Sequence, residues 1–242
     1  MYHSITIGNK NTWSDWHLIP ASRPLVNPPG VNTSIVQIPG VDGALDITDA
    51  LVGRPTYGNR TGTWDFYVDN GYGAWSERYS DIMAYIHGKQ LKAVFEDDPS
   101  FYYEGRFSVN EWRSDAAYSR ISINYNVGPY KLYDATEGEL WLWDPFNFDT
   151  GVIRSYNNIV VRSNKSTTVT IQGDIMDIIP LIVAKDSGIK MRFNGSSLIS
   201  LKRGSYTYDD VVIQQGTNTF VFTYDGSDAK AKVSIKMTGG RF

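Results

Sequence analysis

The pattern of apolar and polar residues predicts one α-helix, between residues 75 and 87. Its apolar positions recur at intervals of three and four residues, which places them on one helical face: Trp75, Tyr79, Ile82 and Ile86. Gly88 follows, and glycine readily takes the left-handed conformation that ends helices. Because a helix with one apolar face has to cover other structure, we expect a sheet beneath it.

The chain on either side of this helix has the patterns of β-strands. Arg60 to Val68 and Ser119 to Val127 alternate between apolar and polar residues, as strands with one buried face do. Leu91 to Phe95 and Phe101 to Val109 are rich in strand-forming residues and are separated by the turn Glu96-Asp97-Asp98-Pro99. This part of the chain is therefore predicted to be a β domain flanked by one helix.

The segment that precedes these strands contains many turn signals. Four prolines in Pro20 to Gly30 exclude a helix there. Thr33 to Ile38 is a β-branched strand, and the turn signals Pro39-Gly40 and Asp42-Gly43 predict a compact corner after it. A second short strand is expected around Leu45.

A second β domain is predicted in the C-terminal part of the chain. Eight short strand patterns separated by turn signals are typical of a β-sandwich. They are Ile159–Arg162, Thr167–Ile171, Ile178–Ala184, Ile189–Phe193, Leu198–Leu201, Asp209–Ile213, Asn218–Tyr224 and Lys230–Met237. We place the domains at residues 1–134 and 135–242. The aromatic segment Trp141–Phe148 is expected to pin the domains together or to reach a neighbouring subunit.

Composition and charge exclude several classes of protein. The net charge of −3 argues against a protein that binds nucleic acid by neutralising phosphates. The chain has no cysteine, which excludes disulfides, thiol nucleophiles and thiolate metal sites. It has no apolar run of membrane-spanning length and no signal segment at Met1–Lys10, so we expect a soluble protein made in the cytoplasm.

The carboxylate clusters are the candidates for catalysis, because a glycoside hydrolase needs two acids flanking one bond. Asp209 and Asp210 are adjacent on a predicted strand and so point to opposite faces, and Glu96-Asp97-Asp98 is best explained as a solvated turn. Three histidines lack a partner at metal-ligand spacing: His3, His17 and His87. We predict no catalytic, cofactor-binding or metal-binding residue, which leaves a glycoside hydrolase as the third and weakest hypothesis.

Carbohydrate binding is the stronger alternative, because β-sandwich modules stack sugars on exposed aromatic rings. All seven tryptophans lie at or before Trp143, and all three histidines precede it. The rings left to the C-terminal domain for stacking are tyrosines: Tyr156, Tyr206, Tyr208 and Tyr224. A carbohydrate-binding β-sandwich module is therefore retained as the alternative function.

Four groups of residues resemble the distal tail proteins of siphophages. They are Pro39-Gly40-Val41-Asp42-Gly43-Ala44-Leu45-Asp46, the helix end Tyr85-Ile86-His87-Gly88, the turn Phe95-Glu96-Asp97-Asp98-Pro99 leading to Gly105-Arg106, and the terminal Gly239-Gly240-Arg241-Phe242. Their order and spacing cover most of the first 110 residues. In the C-terminal half the resemblance depends mainly on the strand pattern.

This resemblance implies a structural virion protein and no enzyme. The N-terminal domain would be a split barrel with one flanking helix, six copies of which close into a ring that continues the tail tube. The C-terminal domain would be a galectin-like sandwich. Galectin sugar binding is not expected here, since the histidine and tryptophan that galectins use are missing after Trp143.

The resemblance also implies partners and a location. The tail tube protein and a tail-tip hub protein would contact the ring, baseplate or receptor-binding proteins would dock around it, and DNA would pass through the lumen without specific binding. The protein would be part of the tail tip of the virion. We expect Pro20–Gly30 and Trp141–Phe148 to contribute to contacts between subunits, because ring closure needs two different complementary surfaces.

Overall fold

The computed structural model describes residues 3–50, 52–69, 74–114, 119–133, 156–226 and 228–242. The described chain is mainly β with one α-helix, as predicted. It divides into two compact units, unit 1 with Met1–Lys131 and Phe242, and unit 2 with Leu132–Arg241. Residues 134 and 135, where we place the domain boundary, lie outside the described residues, so that boundary stays a prediction.

Unit 1 is built on one curled, half-barrel sheet. Its elements are β1 (Ile5–Ile7), β2 (Lys10–Asn11), β3 (Leu18–Pro20), β4 (Val31–Asn32), β5 (Ile35–Val36), β6 (Leu45–Asp46), β7 (Thr56–Tyr57), β8 (Arg60–Val68), α1 (Trp75–Ile86), β9 (Lys89–Phe95), β10 (Asp98–Ser114) and β11 (Ser119–Val127). Seven of these strands make up the main path of the sheet, in the order β2-β1-β9-β10-β11-β8-β3. Each neighbouring pair of strands along this path is antiparallel.

The sheet buries one face under α1 and leaves the other polar. Its fully buried side chains come from alternate strand positions: Phe66, Phe107, Ile121 and Ile123. Ile82 and Ile86 of α1 are also fully buried, as the helical spacing predicted. The helix ends one residue earlier than predicted, at Ile86. Gly88 then takes a φ of 76° and donates its N–H to the Phe107 carbonyl at 2.8 Å.

Unit 2 is the β-sandwich that the strand pattern predicted. The chain continues through β12 (Lys131–Tyr133), β13 (Ile159–Arg162), β14 (Thr167–Gly173), β15 (Leu181–Ala184), β16 (Ile189–Phe193), β17 (Ile199–Ser200), β18 (Gly204–Tyr206), β19 (Gly216–Tyr224), β20 (Lys230–Lys236) and β21 (Gly240–Arg241). Two four-stranded sheets, β13-β20-β15-β18 and β14-β19-β16-β17, share one core. Its fully buried residues include Met191, Phe220, Phe222, Val233 and Ile235.

Two strands of unit 2 differ from the prediction. Asp209–Ile213 is not a strand, and Ile213 makes a single antiparallel bridge with Ile178. Gly204–Tyr206 is a strand that pairs with β15, although its sequence resembles a loop. Gly204 has a φ of 124°, so the strand starts at a position where the backbone favours glycine.

Candidate interaction surfaces

Residues 31–57, which we call the arm, contain two short antiparallel strand pairs, one nested inside the other. β4 pairs with β7, and β5 pairs with β6. Gly58 closes the root of the arm by donating its N–H to the Gly30 carbonyl at 2.9 Å. Among the described residues, these four strands pair only with one another. The outer edges of β5 and β6 are therefore open to another strand.

The arm is unusually apolar for a segment without its own core. It exposes seven large aliphatic side chains by 42% to 60% of their area: Val31, Ile35, Val36, Ile38, Val41, Leu45 and Val52. Val36 and Leu45 lie opposite each other on the same face of the hairpin. Several exposed aliphatic side chains on one segment mark a contact with another molecule.

Arg60 holds the root of the arm to the sheet. Its side chain is only 5% exposed, and its Nε donates to the Pro129 carbonyl at 2.8 Å. The guanidinium lies 5.6 Å from the ring centre of Tyr103 and 5.9 Å from that of Phe242. Burial lowers the pKa of Arg60. The positive charge is therefore held by a carbonyl and by aromatic faces.

Phe242 extends this cluster to the arm itself. Its ring packs edge-on against Tyr57 of β7, with 4.7 Å between ring centres, and stacks on Tyr130 at 5.2 Å. Asn27, on the segment that enters the arm, donates its N–H to the Tyr125 hydroxyl at 3.0 Å. Both ends of the arm are thus fixed, while its length is exposed.

A second apolar surface lies beside α1, and we call it the aromatic patch: Trp75, Tyr79 and Trp112. The ring centres of Tyr79 and Trp112 are 4.7 Å apart, and those of Trp75 and Trp112 are 6.3 Å apart. Trp112 lies on the far end of β10 and is 44% exposed. The buried Nε1 of Trp75 has no hydrogen-bond acceptor within the described part of the chain.

The acidic turn between β9 and β10 is held by hydrogen bonds to the residues that precede β1. The Ser4 N–H and hydroxyl both donate to Glu96, at 2.9 and 3.1 Å. His3 Nδ1 and Arg23 Nε each lie 2.9 Å from the Asp97 carboxylate. The hydrogen bond from His3, and then the one from Arg23, lowers the pKa of Asp97. Glu96 therefore binds Ser4, and Asp97 binds His3 and Arg23. Nothing in this geometry places the two carboxylates on either side of a substrate bond.

The remaining sites named from the sequence are structural in appearance. His87 caps α1, and its Nδ1 accepts the Val109 N–H at 3.2 Å. A polar cleft of about 530 Å³ lies beside α1 and includes His17, and in it the carboxylate of Asp15 binds Lys10 at 3.0 Å. Within the described ranges, no three acidic or histidine side chains form a metal-binding group. No helix described there is long and apolar enough to cross a membrane.

The segments that we expected between subunits have different outcomes. Trp141–Phe148 lies outside the described residues. Pro20–Gly30 is extended after β3, and Leu25 is highly exposed while its carbonyl accepts the Trp64 Nε1–H at 2.9 Å. Of the tyrosines considered for sugar stacking, Tyr224 belongs to the core and Tyr206 is exposed. The Pro20–Gly30 contact stays a prediction.

The two units described above give a fold that the chain shares with a solved structure. The chain is similar to the crystal structure of SPP1 Dit (gp 19.1), which is described as a paradigm of the hub adsorption apparatus in phages that infect Gram-positive bacteria. The similarity covers 100% of each chain, with a TM-score of 0.62 and 15% sequence identity. No protein-family model and no curated protein matches the sequence.

The predicted resemblance to distal tail proteins is confirmed at the level of the fold. At 15% identity the shared architecture says nothing by itself about individual residues. Sequence reasoning identified the hairpin pattern in the arm but missed its exposure, and it missed both Arg60 and the aromatic patch. The signal for the arm was available, since its apolar run is interrupted by Pro39, Asp42 and Pro55 and cannot form a long core strand.

Proposed function

We propose that this protein is the distal tail protein of a long, non-contractile phage tail. Six copies would form a ring at the distal end of the tail tube, and baseplate or receptor-binding proteins would dock around it during host adsorption. The observation that supports the ring is the arm, whose seven aliphatic side chains stay 42% to 60% exposed among the described residues. The fold shared with SPP1 Dit supports the hub role.

The arm of unit 1 supports a ring, because it offers one half of a contact between two different surfaces. One molecule offers an arm with open strand edges, and when this arm binds a different surface of a second copy, the second copy's own arm is left to bind a further copy. Contacts between two different surfaces repeat from copy to copy, and they close into a ring when the rotation between copies allows it. The same contact could also close reciprocally in a two-fold dimer, and the mass in solution distinguishes that dimer from a ring.

The charge distribution is consistent with a channel for DNA. Residues 1–131 contain 11 basic and 14 acidic residues, so the ring-forming part carries a net charge of −3. The outer face of its sheet carries many neutral polar groups, for example the Thr63 hydroxyl that donates to Asn124 at 2.7 Å. A mildly acidic and hydrophilic wall would let a polyanion pass without holding it.

Unit 2 would supply the docking platform of the hub. Leu132–Arg241 carries 12 basic and 12 acidic residues, so unit 2 has no net charge, whereas residues 1–131 carry −3. Its exposed apolar side chains, Val160, Ile179, Leu198 and Tyr206, offer contacts for adsorption proteins. The tail tube protein and a tail-tip hub protein would contact the ring of unit 1 at its two openings.

The mass of the purified protein in solution tests this proposal. Size-exclusion chromatography with light scattering over a range of concentrations should show a species of six 27.2 kDa copies, about 163 kDa. Negative-stain images of that species should show a ring with a central opening. A species that stays at one or two copies at every concentration would overturn the proposed ring.

A further inference from the structure

We propose that one outer face of unit 2 binds a linear phosphate polymer that carries no bases. We call this surface the basic face, and it consists of Arg162, Lys185, Lys230 and Lys232. The binding does not depend on the proposed ring. In a tail hub it would add a contact with anionic polymers of a cell surface.

The strands β13, β20 and β15 bring these four cations together. Lys230 and Lys232 alternate along β20 with fully buried residues and are exposed on its outer side. Arg162 of β13 lies directly opposite Lys230. Lys185 follows β15 and donates its N–H to the Lys232 carbonyl at 3.0 Å, which places it beside Lys232. Its Nζ donates to the neutral amide oxygen of Asn158 at 2.6 Å. The cations therefore form two pairs of neighbours, one after the other along β20.

These pairs hold like charges next to each other, and like charges directly opposite in a sheet destabilise it. None of the four cations forms an ion pair with a carboxylate in the described part of the chain. Asp186 accepts the main-chain N–H of Lys232 at 2.8 Å, whereas Lys190 on the other sheet has its own partner, Asp225, at 2.6 Å. Unit 2 as a whole has no net charge, so the basic face is a local excess. An anion bound at each pair would remove the repulsion.

The spacing of the two pairs suits a linear ligand with repeated charges. Alternate residues of a strand lie about 7 Å apart, so successive charges of an extended polymer can meet successive pairs. Lysine ammonium groups bind phosphate oxygens as point charges, and the arginine guanidinium binds them with two parallel hydrogen bonds. The basic face contains both kinds of group.

Two other polyanions fit this face less well. The bases of single-stranded nucleic acid stack on aromatic rings, and the outward positions of β13 and β20 carry no aromatic side chain. An acidic protein surface needs apolar contacts at the centre of the interface, and Val160 is the exposed aliphatic side chain among those positions. A phosphate polymer without bases needs neither rings nor apolar cover.

Binding of labelled inorganic polyphosphate to the full chain tests the proposal, measured by fluorescence anisotropy at several salt concentrations. If the four cations neutralise four phosphates, the logarithm of the binding constant should fall against that of the salt concentration with a slope of about −3. Lys230→Gln with Lys232→Gln should weaken binding about tenfold at low salt and flatten the slope by about 1.4. Absence of binding at low salt would overturn the proposal.

The matched control is Lys190→Gln with Arg192→Gln, which removes two positive charges from β16 in the other sheet. We expect it to keep the affinity and the slope of the unmodified protein, and an equal loss in both double variants would overturn the basic face as the site. Arg162→Gln alone should lose about half of the slope change without lowering the unfolding midpoint, because it removes a like charge opposite Lys230. A lower midpoint with unchanged binding would mean that Arg162 is structural, and it too would overturn the site.

Competition identifies the kind of polyanion. Unlabelled oligo(dT) and poly-L-glutamate of equal total charge should each displace the labelled polyphosphate at least about tenfold less well than unlabelled polyphosphate does. Equal displacement by oligo(dT) would mean that the face binds nucleic acid, and equal displacement by poly-L-glutamate would mean that it binds acidic proteins. Either result would overturn the assignment to a phosphate polymer without bases.

Discussion

Replacing the aliphatic surface of the arm by serine should abolish assembly without unfolding the subunit. The variant is Val36→Ser, Val41→Ser and Leu45→Ser, three changes on the hairpin formed by β5 and β6. These side chains are 43%, 60% and 52% exposed in the single chain, so about half of each remains to be buried in an assembly. Their removal should therefore act on the contact between copies and little on the core.

The magnitude follows from the exposed fractions. Burying a whole Val or Leu side chain is worth about 1.5–3 kcal/mol, so half of one contributes about 1 kcal/mol. Three such side chains contribute about 3 kcal/mol to each contact. Since 1.4 kcal/mol corresponds to a tenfold change in an equilibrium constant, each contact should weaken on the order of 100-fold. Thermal unfolding of the subunit should move by only a few degrees.

The assay is light scattering as a function of concentration, with a matched control in unit 2. Val160→Ser, Ile179→Ser and Leu198→Ser alters three aliphatic side chains that are 40% to 52% exposed, so it removes a similar apolar area elsewhere. We expect the control to keep the mass of the unmodified protein, while the arm variant stays monomeric. Equal masses for both variants at every concentration would refute the role of the arm.

Two further predictions concern the anchoring of unit 1. Arg60→Met should lower the free energy of unfolding by about 1–3 kcal/mol, because the Pro129 carbonyl loses its donor, and it should speed hydrogen exchange in the arm more than in the sheet. Asp97→Asn should flatten the acid side of the stability curve. The pKa of Asp97 is lowered in the fold, so its contribution is present above the ordinary pKa of 3.8 and disappears as the pH falls through the folded value. Unfolding midpoints measured between about pH 2 and pH 6 should converge at the acid end, and parallel curves would contradict the assignment.

The central strands could be predicted because their pattern and their surroundings agree. β8 and β11 begin and end where alternation predicted, at Arg60, Val68, Ser119 and Val127. Both strands lie inside the sheet with one buried face, so apolar residues recur at every second position from Trp64 to Val68 and from Ile121 to Val127. The helix was found for the same reason, since its buried side chains follow one face.

The arm and β10 show what such patterns leave out. The residues of β5 are β-branched and resemble a core strand, but alternation cannot tell whether the covering surface belongs to the same molecule. The predicted end of β10 at Val109 was five residues early, because a bulge between Val109 and Glu111 interrupts the alternation. Arg60 was missed because its burial depends on Pro129, Tyr103 and Phe242, which are distant in the sequence.

The arm also has to avoid pairing with any exposed strand that it meets. Its strands are only two residues long each, and Pro39 and Pro55 prevent them from extending into a long open edge. Asp42 and Asp46 add charge beside the aliphatic residues, which further opposes aggregation. An arm built in this way binds well only where the partner supplies a long strand and an apolar surface together.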